Sequence, residues 1–448
     1  MQSLLQSRKV CGSPYFIDGT VWLWQRVQTP VDSQRSKSRE NTGALTNSDC
    51  SKESTWIYLI SIYIGTLKMT KNPQILSIME TYMGHGTYAN LMKEYFSKAC
   101  SCQVDFNWFN DERELHTRIL NRLLSFKFPN QWIQKQDLDF NRFRISTGLA
   151  YMARRLVARK LSQADYSALH LHTQVMALLS VDFMKNLPTV VSIDLTAVQA
   201  SQEKTDPNFR WTYNPNVVIE KRVYEAAARI ITTSEFARKS VIEDYNIDSK
   251  KVKAIPFSVK LELFNSIDSS KKAPKTRYNI LFVGGDFKRK GGEDVLEVFL
   301  TAFSELAELH VVTYRPVECQ HPHVHIHRDI KAYSPEWLNL YSQADVFVMP
   351  TYGDAFATVF LEAMAAGLPV IASQLPQIYE VVSDGETGFL VPSGDRHALA
   401  GKIRHLIENP ALGHEMGARA RRIAERKYNA QTNFQTLEAI FKEISISQ

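Results

Sequence analysis

The stretch Thr351–Pro369, TYGDAFATVFLEAMAAGLP, most narrows what this chain can become. The apolar run before it, Ala344–Met349 (ADVFVM), reads as a buried strand closed by Pro350. Thr358–Ala366 then reads as a helix, stopped by Gly367 and Pro369. A strand that turns tightly into a helix makes a ready anion site, because free backbone N–H groups and the positive dipole end meet there. Asp354 on the loop and Glu362 on the helix bracket that point. A ligand carrying both phosphates and hydroxyls, such as a nucleotide sugar, suits the arrangement.

The rest of the chain extends this α/β pattern. From Gln74 onward strands and helices alternate: ILSIM, Val104–Trp108, Ala168–His172 and Thr189–Ile193 read as buried strands. Tyr88–Ser97, Thr147–Lys160, Gln174–Lys185 and Ile219–Ala228 read as helices, and Arg229–Thr233 as a strand feeding a helix over Ser234–Tyr245. Asn265–Arg277 is polar, lysine-rich and interrupted by Pro274, so it reads as a linker. Beyond it come a strand Tyr278–Val283, a helix Gly292–Leu306, a strand Leu309–Thr313, a helix Pro335–Gln343, the signature strand and helix, and a strand Val370–Ala372. A turn-rich element over Asp384–Pro392 and helices His397–Glu408, Gly413–Arg426 and Thr432–Glu443 complete the pattern. The expected fold is therefore α/β, with two doubly wound, Rossmann-like domains facing across a cleft. We place the first domain at 69–264, the linker at 265–277, the second domain at 278–428, and a terminal helix at 429–448 that packs back on the first domain. Residues 1–68 show neither helix nor strand period and are expected to lie outside the folded core; Met69 makes a natural start.

Composition excludes several partners. The 448 residues carry a formal charge of +6, of which +3 sits in residues 1–68 (eight Lys/Arg against five Asp/Glu). No basic block interleaves with aromatics, which argues against nucleic acid. Five scattered cysteines, with Cys100 and Cys102 spaced C-x-C, read as reduced packing residues of a cytoplasmic chain. Trp56–Ile64 is too short to span a bilayer, which leaves room only for a peripheral membrane contact.

Three further motifs carry chemistry. Gly284–Gly292 (GGDFKRKGG) places glycines and three adjacent cations between a strand and a helix, where a diphosphate would be neutralised. His170 and His172 alternate at the end of a strand and share one face. His321, His323, His325 and His327 also alternate, which invites a metal reading. No acidic or cysteine partner lies nearby in the sequence, and Val324 and Ile326 give that stretch the apolar face of an edge strand, so we expect no metal.

The signature segment resembles the acidic-x7-acidic motif of retaining GT-B glycosyltransferases of family four, usually Glu-x7-Glu followed by Ala-Met-Ala-x-Gly-x-Pro. Glu362 falls eight residues after Asp354, and Ala363-Met364-Ala365-Ala366-Gly367-Leu368-Pro369 continues as that family does. The departures are Asp354 where Glu is usual, and Ala355 and Ala357 where glycines flank Phe356. The resemblance implies a GT-B fold and a metal-free transfer from a nucleoside diphosphate sugar to a saccharide or lipid-linked acceptor. It assigns His172 and Asp354 to the transferred sugar. Gly86, Arg289, Lys290, Phe356, Ala357, Thr358 and Glu362 go to the donor, with Glu362 on ribose hydroxyls. Lys290-Gly291 matches the family's Lys-Gly pair, whereas its usual Arg falls at Gly285, so Arg289 stands as the substitute. Where the family has Asn-Gly-Val-Asp near the hinge, this chain has Phe257-Ser258-Val259-Lys260. A nucleotide-sugar epimerase of the same fold, or a non-catalytic nucleotide-sugar-binding subunit, would share these motifs.

Overall fold

A computed structural model describes residues 72–446 apart from residues 81–84, 99, 112–113, 205, 266, 268–275 and 355–356. The expectations for residues 1–68, most of the linker, and Phe356 fall outside the described residues. The first half runs β1 (Gln74–Met79), α1 (His85–Phe96), β2 (Gln103–Trp108), α2 (Leu115–Leu124), α3 (Gln131–Lys135), α4 (Asn141–Leu161), β3 (Ala168–His172), α5 (Gln174–Ala177) and α6 (Val181–Asn186). It continues with β4 (Thr189–Ile193), α7 (Ala197–Lys204), α8 (Asn214–Ala226), β5 (Arg229–Thr232), α9 (Glu235–Glu243) and β6 (Val252–Ala254). The second half runs β7 (Tyr278–Val283), α10 (Gly292–Ala302), β8 (Ala307–Val312), β9 (Val324–His327), α11 (Pro335–Gln343), β10 (Val346–Met349) and α12 (Thr358–Ala365). It closes with β11 (Val370–Ser373), β12 (Gly388–Val391), α13 (Arg396–Glu408), α14 (Pro410–Lys427) and α15 (Ala430–Ile446).

Each half holds one six-stranded parallel sheet, ordered β2-β1-β3-β4-β5-β6 and β12-β11-β10-β7-β8-β9. β3, β4, β10, β11 and β12 are buried along their whole length, as strands covered by helices on both faces must be. Helix starts follow their caps. The Ser234 hydroxyl accepts from the Ala237 N–H at 3.0 Å, Ser334 from Trp337 at 3.2 Å ahead of Pro335, and Asp395 from Ala398 at 2.9 Å.

Several expected helix boundaries move, among them Thr147–Lys160, which runs Asn141–Leu161, and Ile219–Ala228, which runs Asn214–Ala226. Three carry an evident cause or consequence. Gln174–Lys185 is two short helices, interrupted where Leu179 O accepts from Arg154 Nη1 at 2.6 Å. α10 stops at Ala302, since Phe303 turns into the core and β8 begins at Ala307. α1 starts at His85, so Gly86 lies within its first turn and not in a loop before it.

Order within each sheet reverses at one place, between β1 and β3 in the first and between β7 and β10 in the second. Such switch points open a crevice at the carboxyl ends of the strands. The two carboxyl edges meet: Glu380, beyond the carboxyl end of β11, accepts from the backbone N–H groups of Glu235 (2.9 Å) and Phe236 (2.5 Å) at the start of α9. The hinge contact is made without the family's tetrapeptide. Val259 N–H donates to Tyr428 O at 2.9 Å, and Asn433 Nδ2 donates to Ser258 Oγ at 3.0 Å. α15 then lies on the first domain, with Phe434 against Tyr88 and Tyr95, and Phe441 against Phe96 and His170.

Candidate active site

In the second sheet the loops after β7 and β10 are bonded to each other. Arg289 O accepts from Tyr352 N–H (2.9 Å) and from the Thr351 hydroxyl (3.2 Å), while Arg289 Nη1 donates to Gly353 O. Arg289 Nε also pairs with Asp286 at 3.1 Å, so this guanidinium is occupied in holding the loops. Lys290 Nζ is in direct contact with the Asp354 carboxylate, and both side chains are only 14% and 13% exposed. Burial and the nearby Arg289 charge press the Lys290 ammonium down to about 7, against the charge of Asp286. Glycine is required here. Gly291 has φ +79°, and a Cβ there would run into the Pro350 carbonyl. At Gly285, where the family's Arg falls, the Tyr314 ring occupies the space a side chain would need.

α12 opens beside this pair. Its cap residue, Ala357, has no side-chain oxygen to satisfy the first N–H groups, which leaves the Thr358 end available to an anion. Glu362 lies deeper. Its carboxyl is buried and accepts from the Tyr341 hydroxyl at 2.8 Å, and burial raises its pKa to about 7 against the tyrosine bonds. Lys290, Arg289, Asp354 and Thr358 are thus brought together, with Glu362 turned into the core behind them.

The first sheet's switch point holds a second cluster. His170 is fully satisfied across three strands, its ring nitrogens 2.9 Å from Ser77 Oγ and 2.9 Å from Ser192 Oγ. Burial pushes its pKa down to about 3, which marks a neutral core histidine. His172 differs. Its Nε2 lies 3.0 Å from His85 Nδ1, whereas its buried Nδ1 has no partner among the described residues. His85 Nε2 lies 3.4 Å from Asp194 Oδ2. Burial acts to lower the His85 pKa, but the Asp194 bond and charge and the Glu80 charge outweigh it and raise the net value. Burial likewise acts to raise Asp194, and His85 reverses it. These shifts favour an imidazolium at His85, between an ionised Asp194 and a neutral His172. A His85 that donates to His172 Nε2 fixes the His172 proton on Nδ1, the atom left without a partner.

Second-layer bonds hold this row. Glu220 accepts from Ala197 N–H (2.9 Å) and Tyr245 OH (2.6 Å), and Gln174 Nε2 donates to Leu195 O at 2.8 Å, so the loops after β3 and β4 are tied together. The Thr173 hydroxyl donates to Glu80 at 2.6 Å. Tyr88 stacks on His172 at 5.5 Å, and Phe257, the hinge departure, stands edge-on to His85 at 5.5 Å. His85, Asp194 and Glu80 were not singled out in the sequence. The available signal was positional: Asp194 directly follows a buried strand, and His85 sits between Gly84 and Gly86.

The alternating histidines of residues 321–327 can be placed. β9 is the edge strand expected for the alternating histidines, but an acidic partner does exist, supplied by the neighbouring β8. Glu308 accepts from His323 at 2.9 Å and from His325 at 2.7 Å. Among the described residues no group of three or more His, Cys, Asp or Glu is arranged to hold a metal. A cavity of about 330 Å³ lined by Arg277, Asp345, Pro369, Pro410 and His414 opens at the amino edge of the second sheet, away from both crevices.

Comparison with known proteins follows this division. The family described as Glycosyltransferase Family 4 matches residues 115–263, and Glycosyl transferases group 1 matches residues 277–409. The capsular polysaccharide biosynthesis glycosyltransferase CapM of Staphylococcus aureus is 26% identical over 247 residues, covering 50% of this chain and 64% of that protein. A phosphatidyl-myo-inositol mannosyltransferase of Mycobacterium leprae is 26% identical over 307 residues, covering 65% of this chain and 77% of that protein. The chain spans 50% to 52% of the length of several D-inositol 3-phosphate glycosyltransferases. Anabaena HepE, solved in complex with UDP and glucose, superposes with a TM-score of 0.58 at 15% identity, covering 83% of this chain and 99% of that one. Among the described residues no helix is long and apolar enough to cross a membrane.

Proposed function

Because the chain belongs to the family-four-like glycosyltransferases of GT-B fold, we propose that it is a retaining transferase. It moves a hexose-type sugar from a nucleoside diphosphate sugar to a saccharide or lipid-linked acceptor, in the cytoplasm and without a metal ion. The observation that carries this reading is the Lys290–Asp354 ion pair, which joins the two switch-point loops beside an uncapped helix end. Support from relatives is of the same kind: HepE was solved with UDP and glucose, CapM is a capsular polysaccharide biosynthesis glycosyltransferase, and the Mycobacterium leprae relative is a phosphatidyl-myo-inositol mannosyltransferase.

In this reading donor entry exchanges partners. The diphosphate takes Lys290, whose charge it stabilises, and the freed Asp354 carboxylate accepts a hydroxyl of the transferred sugar. The bond from C1 to the diphosphate breaks, and the charge on the leaving oxygen meets Lys290 and the first N–H groups of α12. The acceptor oxygen joins C1 from the same face, its proton passing to the departing phosphate oxygen. From the opposite domain, His172 Nδ1–H donates to a sugar hydroxyl. A ribose role for Glu362 would use carboxylate lone pairs that the Tyr341 bond to Oε2 leaves open.

The test is a donor panel of UDP-, GDP- and ADP-sugars read by thermal shift, followed by product analysis with and without saccharide acceptors and with EDTA. Acceptor-dependent release of the nucleoside diphosphate, unaffected by EDTA, is expected. Epimer formed without acceptor would replace this reading with an epimerase. Donor binding with no turnover over many acceptors would replace it with a binding subunit.

A further inference from the structure

α2 is built the wrong way round for a helix facing water. Thr117, Asn121 and Leu124 form the side against α4, where Asn121 meets Gly148. On the opposite side stand Leu115, Ile119 and Leu123, spaced by four, so the pole farthest from the core is apolar. Leu115 is 72% exposed, Ile119 51% and Leu123 67%. The following segment adds Phe126, Phe128 and Trp132, all exposed. Seven of the fifteen large apolar side chains found exposed among the described residues fall within 115–132, which makes this one patch and not scatter.

The patch is also held rigidly. Arg144 donates to Leu124 O (2.9 Å) and Phe126 O (2.8 Å), Asn141 Nδ2 donates to Phe126 O (3.0 Å), and Asn130 caps α3. Phe126 and Phe128 pack edge to face at 5.8 Å, and Trp132 leans edge-on against Phe209 at 5.9 Å.

Charge identifies the partner. Residues 115–136 contain no Asp or Glu, whereas Arg118, Arg122, Lys127 and Lys135 are all exposed. An apolar pole flanked by cations, with Trp and Phe at its end, matches an anionic lipid surface, which takes apolar side chains into its headgroup boundary and attracts lysine and arginine. We propose that α2 and the segment to Trp132 dock this protein on an anionic membrane face. β2 ends at the carboxyl edge that carries His172, and α2 is the next α-helix along the chain.

The test is co-sedimentation of the full chain with phosphatidylcholine vesicles, with and without phosphatidylglycerol, alongside sedimentation velocity in the absence of lipid. The wild type is expected to bind only the phosphatidylglycerol vesicles, with a blue shift in tryptophan emission and weakening in salt. Ile119→Glu/Leu123→Glu should lower partitioning by about tenfold or more, and Arg118→Gln/Arg122→Gln should reduce the salt dependence. Both variants alter exposed residues, so donor binding and melting temperature should stay at wild-type values, and this readout separates failure here from failure of the transferase reading. Absence of vesicle binding, or binding unchanged in both variants, overturns the proposal. So does a wild-type dimer that the glutamate variant dissociates, since a second copy would then cover the face.

Discussion

The two crevices hold their charges differently. At the β7/β10 crevice every expected ionisable group already has a partner: Arg289 has Asp286 and Gly353, Lys290 has Asp354, and Glu362 has Tyr341. At the β1/β3 crevice the row Asp194–His85–His172 ends in a buried His172 Nδ1 that has no partner among the described residues. A site of the first kind binds by exchanging partners, so part of its ligand energy offsets a broken ion pair. A site of the second kind is preorganised and only adds a bond. In the proposed transfer the first would set donor affinity, and the second would act on the reacting sugar.

The largest effect should come from the preorganised side. His172→Ala is expected to cut turnover by roughly 10²-fold or more while nucleoside diphosphate affinity barely changes, measured by steady-state kinetics and calorimetry. A parallel collapse of melting temperature would instead make His172 a packing residue like His170.

Asp354→Asn is expected to cost on the order of 10² in transfer, since a hydroxyl-positioning carboxylate is lost. Its distinctive sign lies in binding: with its competitor neutral, Lys290 should take the diphosphate several-fold more tightly. Weaker nucleotide binding in this variant would end the exchange picture.

Lys290→Ala should weaken donor affinity by roughly tenfold or more, because a charge-assisted bond to phosphate contributes about 1.5–3 kcal/mol. Donor titration decides this, and unchanged affinity would remove Lys290 from the phosphate site.

The smallest effect concerns pH. The His85 pKa is raised above 6.5 in the folded protein, so its stabilising contribution is complete below that value and is lost as pH rises through the folded pKa. The same deprotonation releases the His172 tautomer. Turnover should therefore decline several-fold on the alkaline side, and His85→Gln, whose amide donates at every pH, should flatten that limb. A limb identical in both proteins would assign it to another group.

How much of this was legible in the sequence depended on what each residue answers to. β3, β4, β7 and α11 have the bounds their apolar runs and caps announce, because burial on both faces leaves one solution. The stretch between Trp108 and Thr147 yielded no element, although α2 and α3 lie there, because the apolar side chains of α2 face outward and give a core reading nothing to follow. At the site, Lys290 and Asp354 were visible as motif residues, but their mutual ion pair was not, since it joins loops from two separate strands. His85 and Asp194 were missed for the same reason: they become one row only when β1, β3 and β4 lie side by side.

α15 packs on the first domain although it follows the whole of the second. Glu438 there accepts from Ser101 N–H at 2.8 Å and Tyr95 OH at 2.9 Å, and Glu443 pairs with Arg229. On the ribosome, the apolar face of α1 is therefore complete well before the helix that covers it exists. At usual elongation rates that gap lasts roughly 17–70 s, a window in which Phe96 and Tyr88 stay open to chaperones or to neighbouring nascent chains. Cutting the gene at the linker therefore gives a first half without the helix that covers α1.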